Sequence, residues 1–167
     1  MTSMGPDSLR KARHPQPGDG WVECDCGRRH WGLNGAAGLL VARPAHGPVT
    51  DIVLQHRATW SDEGGTWGVP GGARMPGETA AAAALREAGE EAGIDPAAVR
   101  VVGEHVLDHG PWGYTTVLAR AVAPFEPAAT DAESLEVRWA PVDEVEALPL
   151  LGEFRRAWPL LRARLEE

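Results

Sequence analysis

Residues 72–94 read GARMPGETAAAAALREAGEEAGI, and this run decides how the rest of the chain is read. The stretch 80–84 is all alanine, the strongest helix former. Gly93 suits the position just past a helix end, and Pro96 blocks continuation. The pattern predicts a helix over 78–92, with 72–77 as a loop leading into it. On that helix Glu87, Glu90 and Glu91 fall at i, i+3 and i+4, so their carboxylates share one face. Three like charges there repel one another, and they lie toward the end where the helix dipole disfavours negative charge. Selection for stability alone would not place them so. A hard divalent cation with oxygen ligands relieves both costs, and Mg2+ shared between carboxylates and substrate phosphates is the common case. The plainer alternative is a solvated acidic face with Arg86 making local ion pairs.

Working outward, residues 1–20 hold Pro6, Pro15, Pro17 and several glycines without apolar periodicity, which predicts a flexible tail. Residues 21–34 form a short segment with Trp21, Cys24, Cys26, His30 and Trp31. Strands are expected at 35–42, 49–57, 66–69, 99–107, 114–122 and 136–140. A short helix is expected at 142–147 and a longer amphipathic one at 151–165. Mixed strands around one central helix, closed by a C-terminal helix, make an α+β domain over 35–167, with helices packed on a mixed sheet.

The spacing G-x5-E-x7-R-E-A-x-E-E-x-G-I, carried by Gly72, Glu78, Arg86, Glu87, Ala88, Glu90, Glu91, Gly93 and Ile94, resembles the Nudix box, with Ala88 small for its position. Trp67-Gly68-Val69-Pro70-Gly71-Gly72 is similar to the lead-in of that family. Gln55-His56-Arg57 and Glu136-Val137-Arg138-Trp139 are similar to two of its strands. The resemblance implies an α/β/α sandwich and hydrolysis of the pyrophosphate in a nucleoside diphosphate derivative, NDP-X to NMP plus P-X. It implies that Glu87, Glu90 and Glu91 ligate Mg2+ or Mn2+, with the Gly71 carbonyl as a further oxygen. Arg86 would orient the glutamates. Glu78 would be either a ligand or a partner of Arg86. The late general base varies among similar proteins. Glu136 is the first candidate here and Glu133 the second, each set against an exposed carboxylate of a polar loop.

For substrate binding, Arg57 is the candidate phosphate contact, and Trp60, Trp112 and Tyr114 are candidate platforms for a base. The simpler role for any of the seven tryptophans is core filling. His105 and His109 stand near a strand end, as surface histidines or as bases.

Cys24, Cys26 and His30 place three soft ligands within seven positions. The C-x-C spacing departs from the usual C-x2-4-C of zinc sites and no second cysteine pair exists. The expectation is therefore reduced structural cysteines rather than a Zn2+ site, for which His14 or His46 would have to serve as fourth ligand. A disulfide across one residue would be strained.

The remaining expectations come from composition. The net charge of −8 argues against long nucleic acid and suits a small phosphorylated substrate met through metal ions. No apolar run approaches the roughly 20 residues of a membrane span. The start lacks the apolar core of a signal peptide, so a cytoplasmic location is expected. A homodimer accords with the resemblance. Two other classes stay open: a non-catalytic nucleotide sensor, opposed by the intact glutamates, and an isomerase on the same fold, opposed by cysteines remote from the box.

Overall fold

The computed structural model describes residues 16–167. Two short strands, β1 (Trp21–Glu23) and β2 (Arg29–Trp31), form a separate antiparallel hairpin. The main sheet has seven strands: β3 (Ala36–Arg43), β4 (Asp51–Arg57), β5 (Trp67–Gly68), β6 (Gly71–Ala73), β7 (Val99–Asp108), β8 (Gly113–Ala121) and β9 (Ser134–Pro141). Helix α1 is Ala80–Ala92 and helix α2 is Gly152–Leu165. The expected 142–147 helix is a 3-10 turn.

The sheet is mixed. β3 runs parallel to β8, and β7 is antiparallel to β8. On its other edge β3 meets β4 only at Ala42–Arg43, while Ala36–Gly38 pair with β6. The two strands therefore diverge, and the gap holds the glycine loop. β4 pairs along its length with β9 and at one end with β5.

Strand alternation sorts the core into two layers. Ala37, Leu39, Val41, Val53, Val117 and Val137 face one way, against Ala83, Ala84, Ala88 and Ala92 of α1. Leu40, Ala42, Ile52, Leu54 and Leu118 face the other way, against Phe154, Trp158, Leu161 and Leu165 of α2. This is the α/β/α sandwich expected from sequence. Small alanines on the inner face of α1 let the helix lie close to the sheet, and Ala88, fully buried, belongs to that surface.

The expected bounds of α1 shift at one end. Thr79 is its N-cap, with Oγ1 accepting from the Ala82 N–H at 3.1 Å, so Glu78 stays in the loop. Gly93 closes the other end at φ 66°, with the Ile94 N–H donating to the Ala88 carbonyl.

Residues 16–20, which sequence assigns to the tail, are hydrogen-bonded to the domain. The Leu33 N–H donates to the Gly18 carbonyl and the Gly32 N–H to the Gly20 carbonyl. The other residues of that segment, His14 among them, lie outside the described residues. No helix among the described residues is long and apolar enough to cross a membrane.

Candidate active site on the first helix

The glycine loop and α1 form one unit around Arg86. Its Nε and Nη2 donate to both carboxylate oxygens of Glu78, each at 2.9 Å. Its Nη1 donates to Glu87 Oε1 at 2.9 Å and to Gln16 Oε1 at 3.0 Å, and Nη2 also reaches the Ala73 carbonyl. Glu90 Oε1 lies 3.7 Å away. The guanidinium thus ties the loop to the helix from both sides. The Arg86 bond, helped by the Met75 N–H, holds the Glu78 carboxyl below its ordinary range despite burial. Both Glu78 oxygens are engaged this way, which makes Glu78 a partner of Arg86.

Glu87 and Glu91 are each only 1% exposed, an expensive position for a carboxylate. A Cβ at Gly72 would lie 2.6 Å from the Glu87 carboxyl carbon, so a larger residue would have to displace that buried carboxylate. A Cβ at Gly71 would meet the Ala37 carbonyl oxygen at 2.5 Å. Gly71 donates its N–H to Glu91 Oε2 at 3.1 Å, and Gln55 Nε2 donates to the same oxygen at 3.1 Å and to Ser134 Oγ at 2.8 Å.

The loop between β8 and β9 completes the cluster. It docks on carbonyls that α1 leaves unsatisfied at its C-terminus. The Ala128 N–H donates to Ala92, the Thr130 N–H to Glu91, and the Thr130 hydroxyl to Glu90. This docking brings Asp131 and Glu133 to Glu91, with one oxygen from each of the three within 4.8 Å of the others. Three carboxylates so close repel unless a cation or proton joins them. An all-oxygen, anionic donor set fits a hard divalent ion.

Glu136, the first candidate for the late base, is not brought to this cluster. A bulge lies between the pairs His56–Glu136 and Arg57–Ser134. It re-aims Ser134 toward Gln55 on the α1 side, while Glu136 stays on the opposite face. There it pairs with Arg138 at 3.5 Å, and Arg138 lies over the Trp67 ring in the α2-side core. Glu133, the second candidate, is the one that arrives, with Asp131, which sequence reasoning missed. Gln55 was missed as a functional residue too. Its signal was an amide inside the apolar strand DIVLQHR.

The aromatic candidates fare differently. The Tyr114 hydroxyl fills the space left by two glycines: a Cβ would stand 2.0 Å from it at Gly38 and 3.0 Å from it at Gly71. Burial, then the charge of Glu91, raises its pKa above the usual tyrosine value. Tyr114 is thus a wall beneath the loop rather than an open platform. Trp112 is buried, stacks on His30 at 4.2 Å and donates Nε1–H to the Trp31 carbonyl. Trp60 is half-buried in the loop between β4 and β5. Arg57 donates Nε and Nη2 to the Asp62 carbonyl and so braces that loop. His109 turns away from the glutamates, toward Cys24, with Nδ1 at 3.5 Å from the sulfur.

Known proteins resemble this chain over most of its length. The profile of the NUDIX domain matches residues 32–161. The chain is 54% identical over 156 residues to a nucleoside triphosphate pyrophosphatase/Nudix hydrolase fusion protein of Bifidobacterium longum, covering 91% of this chain but 32% of that protein. It therefore spans about a third of that relative. It is 44% identical over 151 residues to a putative 8-oxo-dGTP diphosphatase 3 of Mycobacterium tuberculosis, covering 87% of this chain and 69% of the other. Among solved structures, the Nudix hydrolase RenU of M. smegmatis superposes with a TM-score of 0.79 at 43% identity, covering 87% of this chain and 94% of RenU.

Proposed function

The chain belongs to the NUDIX family, and from that premise we propose that it hydrolyses the pyrophosphate of a nucleoside diphosphate derivative, NDP-X to NMP plus P-X, with a divalent metal. The observation that carries this reading is the meeting of Glu91 of α1 with Asp131 and Glu133, on the helix that also carries Glu87 and Glu90 beside Arg86. Glu87, Glu90 and Glu91 would hold Mg2+ or Mn2+, with the Gly71 carbonyl as a further oxygen. When bound, the cation supplies positive charge for the phosphate oxygens and lowers the pKa of a coordinated water.

The chain's own residues do the rest. Water adds to one phosphorus, the bridging P–O bond breaks, and the departing phosphate takes the electron pair. Glu133, with Asp131 beside it, accepts the proton the water loses. Arg86 fixes Glu87 by charge-assisted hydrogen bonding, and Glu78 fixes Arg86. The Gly71 N–H and Gln55 orient Glu91. Arg57 contacts a substrate phosphate and Trp60 stacks on the base, both at the loop joining β4 to β5. The active chain acts on a small nucleotide rather than on long nucleic acid, and a cytoplasmic location and a homodimer accord with that role. Residues 21–34 are an appended segment before the catalytic domain of 35–167.

The relative named a putative 8-oxo-dGTP diphosphatase makes 8-oxo-dGTP the first substrate to test. The test is phosphate-coupled turnover of 8-oxo-dGTP, ADP-ribose and a dinucleoside polyphosphate, with Mg2+ and with EDTA. Metal-dependent cleavage of one of them is expected. Nucleotide binding without cleavage of any would replace the hydrolase by a sensor.

A further inference from the structure

The hairpin of β1 and β2 carries a second cluster of a different chemical kind. Cys24 follows the first strand, Cys26 lies in the turn and His30 is in the second strand. The turn is tight: the Gly27 N–H donates to the Cys24 carbonyl at 3.1 Å, and the Cys24 N–H to the Arg28 carbonyl at 3.0 Å. Gly27 has φ 87° with nothing within 4 Å of a would-be Cβ, so the backbone conformation alone calls for glycine. The fourth member, His109, comes from the turn between β7 and β8, 85 positions beyond Cys24. Its backbone N–H donates to the Trp112 carbonyl, which sets that turn.

One ligating atom from each residue lies within 4.8 Å of the other three. Cys26 Sγ is 3.1 Å from His30 Nε2, and Cys24 Sγ is 3.5 Å from His109 Nδ1. A tetrahedral zinc ion, with Zn–S of about 2.3 Å and Zn–N of about 2.0–2.1 Å, separates its ligand atoms by roughly 3.3–3.8 Å. The Cys24–His109 separation falls in that range, and the Cys26–His30 separation is slightly shorter, so a small side-chain shift seats the ion. His46, which sequence offered as a fourth ligand, is exposed in the turn between β3 and β4 and does not join the cluster.

Stability without a metal gives little reason for this arrangement. Cys26 is exposed, so its thiol gains nothing from burial. The hairpin has three residues per strand and lies outside the main sheet, and an isolated two-stranded ribbon is marginal in water. Its visible anchors to the turn are the Trp112 indole, stacked on His30 and hydrogen-bonded to Trp31. A cross-link here would close a loop of 85 positions and remove chain entropy from the unfolded state.

We propose that Cys24, Cys26, His30 and His109 form a structural Zn2+ site that staples the N-terminal hairpin to the turn between β7 and β8. Two thiolates and two neutral imidazoles leave the four-coordinate ion without net charge and without an open position, which marks a structural rather than a catalytic zinc site.

The test is metal analysis of full-length protein purified from zinc-supplemented medium, after dialysis. About one zinc per chain is expected, with both thiols slow toward a thiol reagent until a chelator is added. Cobalt in place of zinc should give the visible bands of a tetrahedral ion and a thiolate-to-cobalt charge-transfer band. Cys26→Ser and His109→Ala should each weaken zinc binding by more than about 100-fold, while Glu91→Gln keeps it. Because Cys26 is exposed, Cys26→Ser should keep the native circular dichroism of the domain. Absence of zinc, thiol reactivity indifferent to zinc, or zinc retained in both ligand variants would overturn the proposal. Loss of zinc in Glu91→Gln alone would move the ion to the carboxylates and overturn it as well.

Discussion

The two clusters of potential metal ligands are built in opposite directions. At the carboxylate cluster the fold positions the side chains. Helix α1 sets the spacing, Arg86 clamps Glu78 and Glu87, and a docked loop delivers Asp131 and Glu133. At the thiol–imidazole cluster the ligands would hold the fold, because the hairpin has little core of its own. Buried charge needs a rigid scaffold to offset its desolvation, whereas a soft metal site can supply the rigidity itself.

The largest effect expected from breaking this contrast is at Glu91. Glu91→Gln keeps the shape but removes the charge, and turnover should fall by at least about 100-fold with the melting transition kept. Unchanged turnover would remove the carboxylate cluster from the chemistry. Next comes Arg86→Ala, which strands Glu78 and the buried Glu87. It should lower unfolding free energy by about 3 kcal/mol in urea titration, along with activity.

The same pair gives a pH signature. The folded Glu78 pKa lies below its ordinary 4.5, with Arg86 the main cause. Its contribution to stability is complete above 4.5 and is lost as pH falls through the lower folded value. Stability against pH should therefore be flatter on the acid side in Glu78→Gln than in the parent. An identical acid limb would show that the ion pair contributes nothing.

Gly72→Ala sharpens the comparison within the loop. Its new Cβ would press on the Glu87 carboxylate, and a loss of about 1–3 kcal/mol in thermal unfolding is expected. At the other cluster, His109→Ala should lower the melting temperature by roughly 5–10 °C, and only in zinc-loaded protein. An equal drop in metal-free protein would reduce His109 to ordinary packing. Least of all, Glu136→Gln should change stability by less than about 0.5 kcal/mol and leave turnover alone, since Glu136 faces away from α1. A large loss of turnover there would return the late base to that strand.

How far the site could be read from sequence follows from how each part is positioned. The helix and its three glutamates needed only periodicity, alanine content and a glycine stop, so their placement held, apart from the start moving to the Thr79 cap. Choosing between Glu133 and Glu136 needed the register of β9 on β4. A single bulge next to Ser134 decides which carboxylate turns toward α1, and no local signal in DAESLE reports it. Tyr114 and Trp112 read as platforms because aromatic rings stack on bases. Their roles as a wall and a strut depend on neighbours from other strands.

By itself, the sequence determined the loop–helix unit, the shared face of Glu87, Glu90 and Glu91, and the family to which they point. These rest on contacts within a few residues, which helical geometry dictates. Only the tertiary structure decided that Asp131 and Glu133 join Glu91, that Glu136 does not, and that His109 meets Cys24, Cys26 and His30. Those meetings join segments tens of residues apart. They are set by which strands pair and in what register, and that is fixed by the packing of the whole sheet.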